Sequence, residues 1–198
     1  MLRVTKVEPK FFGDKKRKVK KPKESTAWRE LADIREDLRS HILSNEQANM
    51  CIYCEKKISA NSHKSNIDHY KTRKLYPELT LDYENLFVSC NHNAHCSSHK
   101  DRLPLTKEDY QNILNPLSTE LDNSFGYTFF GEIEALNKKA KITQESFNLN
   151  HISLVEERKL IIQNFESYRD FDEDILVECL GGHIGLIREL KKEIGEKI

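Results

Sequence analysis

No stretch of this 198-residue chain approaches the roughly 18 consecutive uncharged apolar residues of a membrane span. The opening residues, Met1-Leu2-Arg3-Val4-Thr5-Lys6, contain no apolar segment of the kind that directs secretion. Net charge is also missing, because 32 Lys+Arg are matched by 32 Asp+Glu. No internal repeat is visible, and the only biased stretch is the Lys-rich run 15–23. Together these absences predict a soluble, cytoplasmic protein with no membrane contact. Nine Phe, seven Tyr and one Trp argue against wholesale disorder despite a mean hydropathy of −0.70. Cysteine is sparse, at five residues, and a reducing compartment gives these five no disulfide role. Metal ligation is the first alternative.

The zero balance hides a gradient. Residues 1–102 carry 21 basic and 14 acidic side chains, whereas residues 103–198 carry 11 and 18. The basic excess peaks between Arg3 and Lys23, where ten Lys/Arg face only Glu8 and Asp14. That run reads either as a solvated tail or as a phosphate-binding arm, with Lys16, Arg17 and Lys18 at its centre. The acidic half is unsuited to broad phosphate contact and reads as a protein-contact region.

Hydrophobic spacing predicts a helix from about Ala27 to Leu43, with Ala27, Leu31, Ile34, Leu38 and Ile42 on one face. Residues 50–102 break into short runs with Cys, His and Asn, as in a small metal-stapled module. Ser124–Leu136 predicts two short strands about Gly131. Helices are predicted over Ser153–Arg169, Asp172–Leu180 and Ile184–Glu196, with Gly181-Gly182 separating the last two. Leu154, Ile161, Phe165, Tyr168 and the isolated Cys179 are predicted core. The expected fold class is α+β: a small ββα centre with a zinc knuckle in a mostly helical chain. The expected division is a basic arm (1–24), a helix (25–45), the ββα core (46–104) and a helical extension (105–198).

Cys51-Ile52-Tyr53-Cys54 is a C-x2-C knuckle, and Cys90 and Cys96 follow after 35 intervening residues. Two thiolate pairs on two loops can close a tetrahedral Zn2+ site. The five-residue gap in the second pair leaves His92 or His95 open as a replacement ligand. Between the pairs lies Asn66-Ile67-Asp68-His69-Tyr70. After it come Tyr83-Glu84-Asn85 and then Cys96-Ser97-Ser98-His99-Lys100.

His69, Asn85 and His99 threaded through two Cys pairs resemble the HNH (ββα-metal) endonucleases. The flanking segments 51–55, 68–71, 81–90 and 95–104, with 113–116, 130–133, 147–151 and Arg158, are similar to one subfamily. This is the PtuB-like HNH subunit of Septu-type and retron-associated antiphage systems. The resemblance implies nuclease activity on DNA or RNA and a PtuA-like ABC/SMC-type ATPase partner. It also brings in a retron reverse transcriptase with its nucleic acid in some systems. Ser97 departs from the Asn or His that many HNH proteins carry after the last Cys. The second ligand of a catalytic ion is therefore open among His99, His95 and a Ser98 or water contact.

On that resemblance, His69 is an outward-facing general base and Asn85 orients its imidazole. Asp68, on the opposite side of the strand, binds Mg2+ or Mn2+ together with His99. Lys100 and Arg102 are candidate phosphate contacts, and the four cysteines hold a structural Zn2+. The rival is a non-catalytic zinc-knuckle module that binds nucleic acid or adapts between proteins. It leaves Asp68-His69, Asn85 and His99 without a purpose.

Overall fold

The computed structural model describes residues 1–195. The first helix, α1 (Lys10–Lys16), is followed by a ten-residue 3-10 segment over Ser25–Ile34 and by α2 (Arg35–Asn45). Strands β1 (Ser65–His69) and β2 (Leu86–Cys90) pair antiparallel, with Asp68 opposite Phe87 and His69 opposite Leu86. A short α3 (Cys96–Lys100) packs on β2. A second hairpin, β3 (Phe125–Tyr127) with β4 (Ile133–Ala135), precedes α4 (Lys138–Ser146) and α5 (Ile152–Phe165). Two more helices, α6 (Glu173–Leu180) and α7 (Ile184–Gly195), complete the described chain. The fold is mixed α+β, mostly helical, with two small antiparallel sheets around a buried four-cysteine cluster. Among the described residues, no helix is long and apolar enough to cross a membrane.

The Ala27–Leu43 prediction holds for its apolar face, with Ala27, Leu31, Leu38 and Ile42 buried, but its first half winds as a 3-10 helix. Strand β2 (LFVSC) is buried at all five positions, which suits a mostly apolar run in contact with both α2 and α3. The predicted strands about Gly131 form, and Gly131 is required there. Its φ is +85°, and a Cβ would lie 2.5 Å from the carbonyl oxygen of Val155. Helix α4 was not anticipated. Asn137 caps it by accepting from the Ala140 amide.

Three expectations need correction. Residues 1–24 are not a free arm. The Leu2 amide donates to Ile52 O and the Val4 amide to Pro116 O, while Phe12 and Val19 are buried. The buried side chains of Met1, Val4, Phe12 and Val19 anchor the segment, and acids neutralise much of its charge. Lys15 pairs with Asp33, Lys16 with Glu8 and Arg17 with Asp14. Cys179 is exposed, as is Ile175 on the same face, because α6 turns Leu176 inward instead. Tyr168 lies beyond the end of α5 and is half-exposed, so the buried stripe there is Leu154, Ile161 and Phe165. Glu196, the predicted end of the last helix, falls outside the described residues.

The extension does not separate from the ββα centre. One core contains Cys51–Cys54, Tyr70, Phe87 and Cys96 together with Tyr110, Ile113, Phe147, Leu149 and Leu154. Phe147 stacks on Tyr53 at 3.9 Å between ring centroids, and Phe147 O accepts from the Cys96 amide. The turn between α6 and α7 docks on the knuckle, where Lys57 N donates to Gly181 O and His183 N to Glu55 O. Gly182, at φ +109°, leaves no room for a side chain, since a Cβ would lie 2.3 Å from Glu55 O. Arg158, fully buried on α5, ties the second hairpin in by donating to Gly131 O (2.6 Å) and Leu149 O (2.8 Å).

Candidate functional site

The Cys51–Cys54 turn is closed by Glu55 N donating to Cys51 O and by Cys51 N donating to Lys56 O. Glu55 takes the left-handed region at φ +63°, so four residues reverse the chain and aim both thiols inward. The last residue of β2 supplies Cys90 and the first of α3 supplies Cys96. The four sulfurs lie within 4.8 Å of one another, with Cys51–Cys96 at 3.8 Å and Cys54–Cys90 at 4.0 Å. A tetrahedral ion with Zn–S bonds of about 2.3 Å requires sulfur–sulfur edges of about 3.8 Å. The donor set therefore fits a structural zinc. The Cys90 amide, 3.3 Å from Cys51 Sγ, and His95 Nδ1, 3.1 Å from Cys96 Sγ, surround the sulfurs with further polar contacts. His95 and His92 do not substitute for a cysteine, because all four thiols converge. Burial opposes charge on Cys51, yet hydrogen bonds from Cys54, Cys90 and Cys96 outweigh it and hold that thiol well below its ordinary range.

At the other end of the hairpin from the Ser65–Cys90 pair, Asp68 and His69 leave β1 on opposite faces, as strand alternation dictates. Both border a cleft of about 760 Å³ whose rim includes Arg29, Arg73, Lys74 and Asp101. His69 is 7% exposed, so it is a packed residue and not the outward-facing one expected. The Trp28 ring meets it edge-on at 4.7 Å between centroids. Its Nε2 lies 3.0 Å from Thr80 O. A carbonyl can only accept, so Nε2 carries the hydrogen and Nδ1 keeps the lone pair. Burial pulls the ring's pKa down to about 4, against the opposing bond to Thr80, and the Arg73 cation adds to the fall. The imidazole is neutral at pH 7.

Asn85 acts on the loop and not on the ring. Its Oδ1 accepts from Lys71 N, and its Nδ2 donates to Lys71 O and Leu79 O, fixing the segment that delivers Thr80 O to His69. Asp68 is buried and occupied: Tyr53 donates its hydroxyl to Oδ2, and Lys100 Nζ lies 3.0 and 2.8 Å from the two carboxylate oxygens. Lys100 is fully buried, so the expected phosphate contact is an internal ion pair instead. His99 does not border the cleft. Burial and the neighbouring Arg102 cation push its pKa below the ordinary histidine value. Arg102 is exposed but likewise outside the cleft. Ser97 is buried against Ser89 and Asn66.

Of the expected Asp68–His99 ligand pair, Asp68 borders the cleft and His99 does not. Among the described residues, the one group of three or more Cys, His, Asp or Glu side chains converging for a metal is the cysteine cluster. The donor set beside Asp68 does not fit a divalent ion, because Tyr53 and Lys100 already occupy both carboxylate oxygens. The cleft residues that motif reading missed are Trp28, Arg73, Thr80 and Asp101. Only Arg73 carried a signal, since it lies in the basic run Lys71-Thr72-Arg73-Lys74 directly after His69.

No family model matches the chain. Over 117 residues it is 30% identical to the Septu protein PtuB of Bacillus thuringiensis, covering 57% of this chain and 42% of that one. The likeness read from the motifs thus has a relative of that name. This chain spans less than half of that relative's length.

Proposed function

We propose that this chain is an HNH-type phosphodiester hydrolase acting on nucleic acid. In this reading it is the effector subunit of an antiphage defence complex with an ABC/SMC-type ATPase. The observation that carries the reading is His69, a neutral imidazole with Nε2–H committed to Thr80 O and Nδ1 left free at a basic cleft. Hydrolysis needs water deprotonated and charge at phosphorus neutralised. His69 Nδ1 takes a proton from the water whose oxygen bonds phosphorus, and Arg73, Arg29 and Lys74 face the phosphate. The leaving sugar oxygen departs with a proton from solvent. Arg73 is held beside the cleft by donating to Ser25 O at 3.3 Å. Asn85 keeps the base's tautomer by holding the 71–80 loop. The similarity to a Septu protein supports the defence setting.

The test is cleavage of DNA and of RNA by the zinc-loaded chain with its operon ATPase, with and without added Mg2+ or Mn2+. His69→Gln should lower the rate by about 10²–10⁴-fold, as loss of a general base does. Full activity in a folded His69→Gln chain overturns the assignment and favours the zinc-module rival. For the partner, exposed Ile152 and Leu160 on α5, Phe171 just before α6 and Ile175 on α6 are apolar positions left open to docking. Leu160→Glu in the full chain should abolish co-purification with the ATPase, and retention on all four such substitutions would place docking elsewhere.

A further inference from the structure

Lys100 ends α3 and sends its side chain under β1, where five oxygens surround Nζ. They are Asp68 Oδ1 (3.0 Å) and Oδ2 (2.8 Å), His69 O (2.7 Å), Tyr70 O (3.2 Å) and Asp101 Oδ1 (3.3 Å). An ammonium has three protons to give. Five oxygens, three of them on carboxylates, exceed that number and form the kind of shell that hard cations take. The lysine itself is wholly buried, and a buried lysine is retained only where its charge is compensated. Here two carboxylates compensate it. The same ammonium grips the carbonyls of His69 and Tyr70, so it also fixes the backbone that presents the imidazole.

We infer that Lys100 is the resident cation of the cleft, its ammonium filling the coordination place that Asp68 and its neighbours would otherwise offer to a divalent ion. Lys100 is accordingly a positioning residue: it neutralises Asp68 and anchors the end of β1 without an exchangeable metal. The inference concerns cation binding alone and stands whether or not the chain cleaves nucleic acid.

The experiment is a Mn2+ titration of the zinc-loaded full chain, following paramagnetic broadening of the His69 ring resonances by NMR. The native chain should show no stoichiometric broadening of those signals at submillimolar Mn2+. Selective broadening there would place an ion beside Asp68 and overturn the inference without any variant. In Lys100→Ala the vacated shell should admit Mn2+, with His69 broadening at concentrations at least about tenfold lower than in the native chain. Mn2+ should also raise that variant's melting temperature, because a ligand of the native state stabilises it. A folded Lys100→Ala chain that still excludes Mn2+ would overturn the inference too, since lysine would then not be what keeps the ion out. If that variant does not fold, the titration of the native chain decides.

Discussion

The imidazole of His69 and the carbonyl of Thr80, eleven residues apart, are joined by a 3.0 Å bond from Nε2–H to oxygen. Thr80 O sits there because Asn85 clamps both ends of the intervening loop at Lys71 and Leu79. The asparagine therefore governs the histidine through the backbone, and the bond determines which nitrogen is free.

This burial has a consequence for pH. In the unfolded chain His69 takes up a proton near pH 6.5, whereas in the folded chain it resists until about pH 4. Between those values the unfolded state binds more protons, so the contribution is complete above pH 6.5 and is lost as pH falls towards 4. On the order of 3 kcal/mol is at stake. Urea unfolding at pH 7.5 and pH 4.5 should show a smaller drop in stability for His69→Gln than for the native chain. Equal drops would mean that the imidazole is not protected from protons.

The cysteine cluster predicts one zinc per chain, held by Cys51, Cys54, Cys90 and Cys96. Cys51→Ser or Cys90→Ser should lose it together with much of the chain's stability, since binding energy at a structural zinc is folding energy. Elemental analysis and thermal denaturation measure both. Zinc at full occupancy in folded Cys90→Ser would mean that three thiols suffice.

Cation placement predicts where phosphate is felt. Lys16 and Arg17 are engaged by Glu8 and Asp14, whereas Arg73 overlooks the cleft. Arg73→Ala should flatten the slope of log affinity against log salt by about one phosphate contact. Exposed Lys18→Ala should leave the slope nearly unchanged. The reverse ranking, measured by fluorescence anisotropy on single- and double-stranded probes, would return the N-terminal segment to the role its composition suggests.

Arg158 predicts how firmly the C-terminal half is tied to the centre. Its bonds to Gly131 O and Leu149 O satisfy two carbonyls in a buried setting. Arg158→Met should keep the packing but orphan both acceptors, costing about 2–4 kcal/mol. The midpoint of chemical denaturation should fall accordingly, and an unchanged midpoint would show that the hairpin is anchored without it.

The sequence by itself settled what depends on local spacing and residue chemistry. The two thiol pairs, the alternation that parts Asp68 from His69, the hairpin about Gly131 and the three last helices were all legible, because thiolate affinity and side-chain periodicity are properties of a few neighbouring residues. The rest depended on which distant groups meet. Nothing within five residues of Lys100 announces that its ammonium would be consumed by Asp68, or that His99, one residue earlier, would lie outside the cleft. A helix separates adjacent side chains by about 100°, so one step along α3 decides which of the two points under the strand. The charged N-terminal run likewise looked like a tail because composition counts charges. The structure seats Phe12 and Val19 in a core assembled from α2 and β2, and burying that apolar surface outweighs the solvation that a lysine-rich segment would otherwise seek.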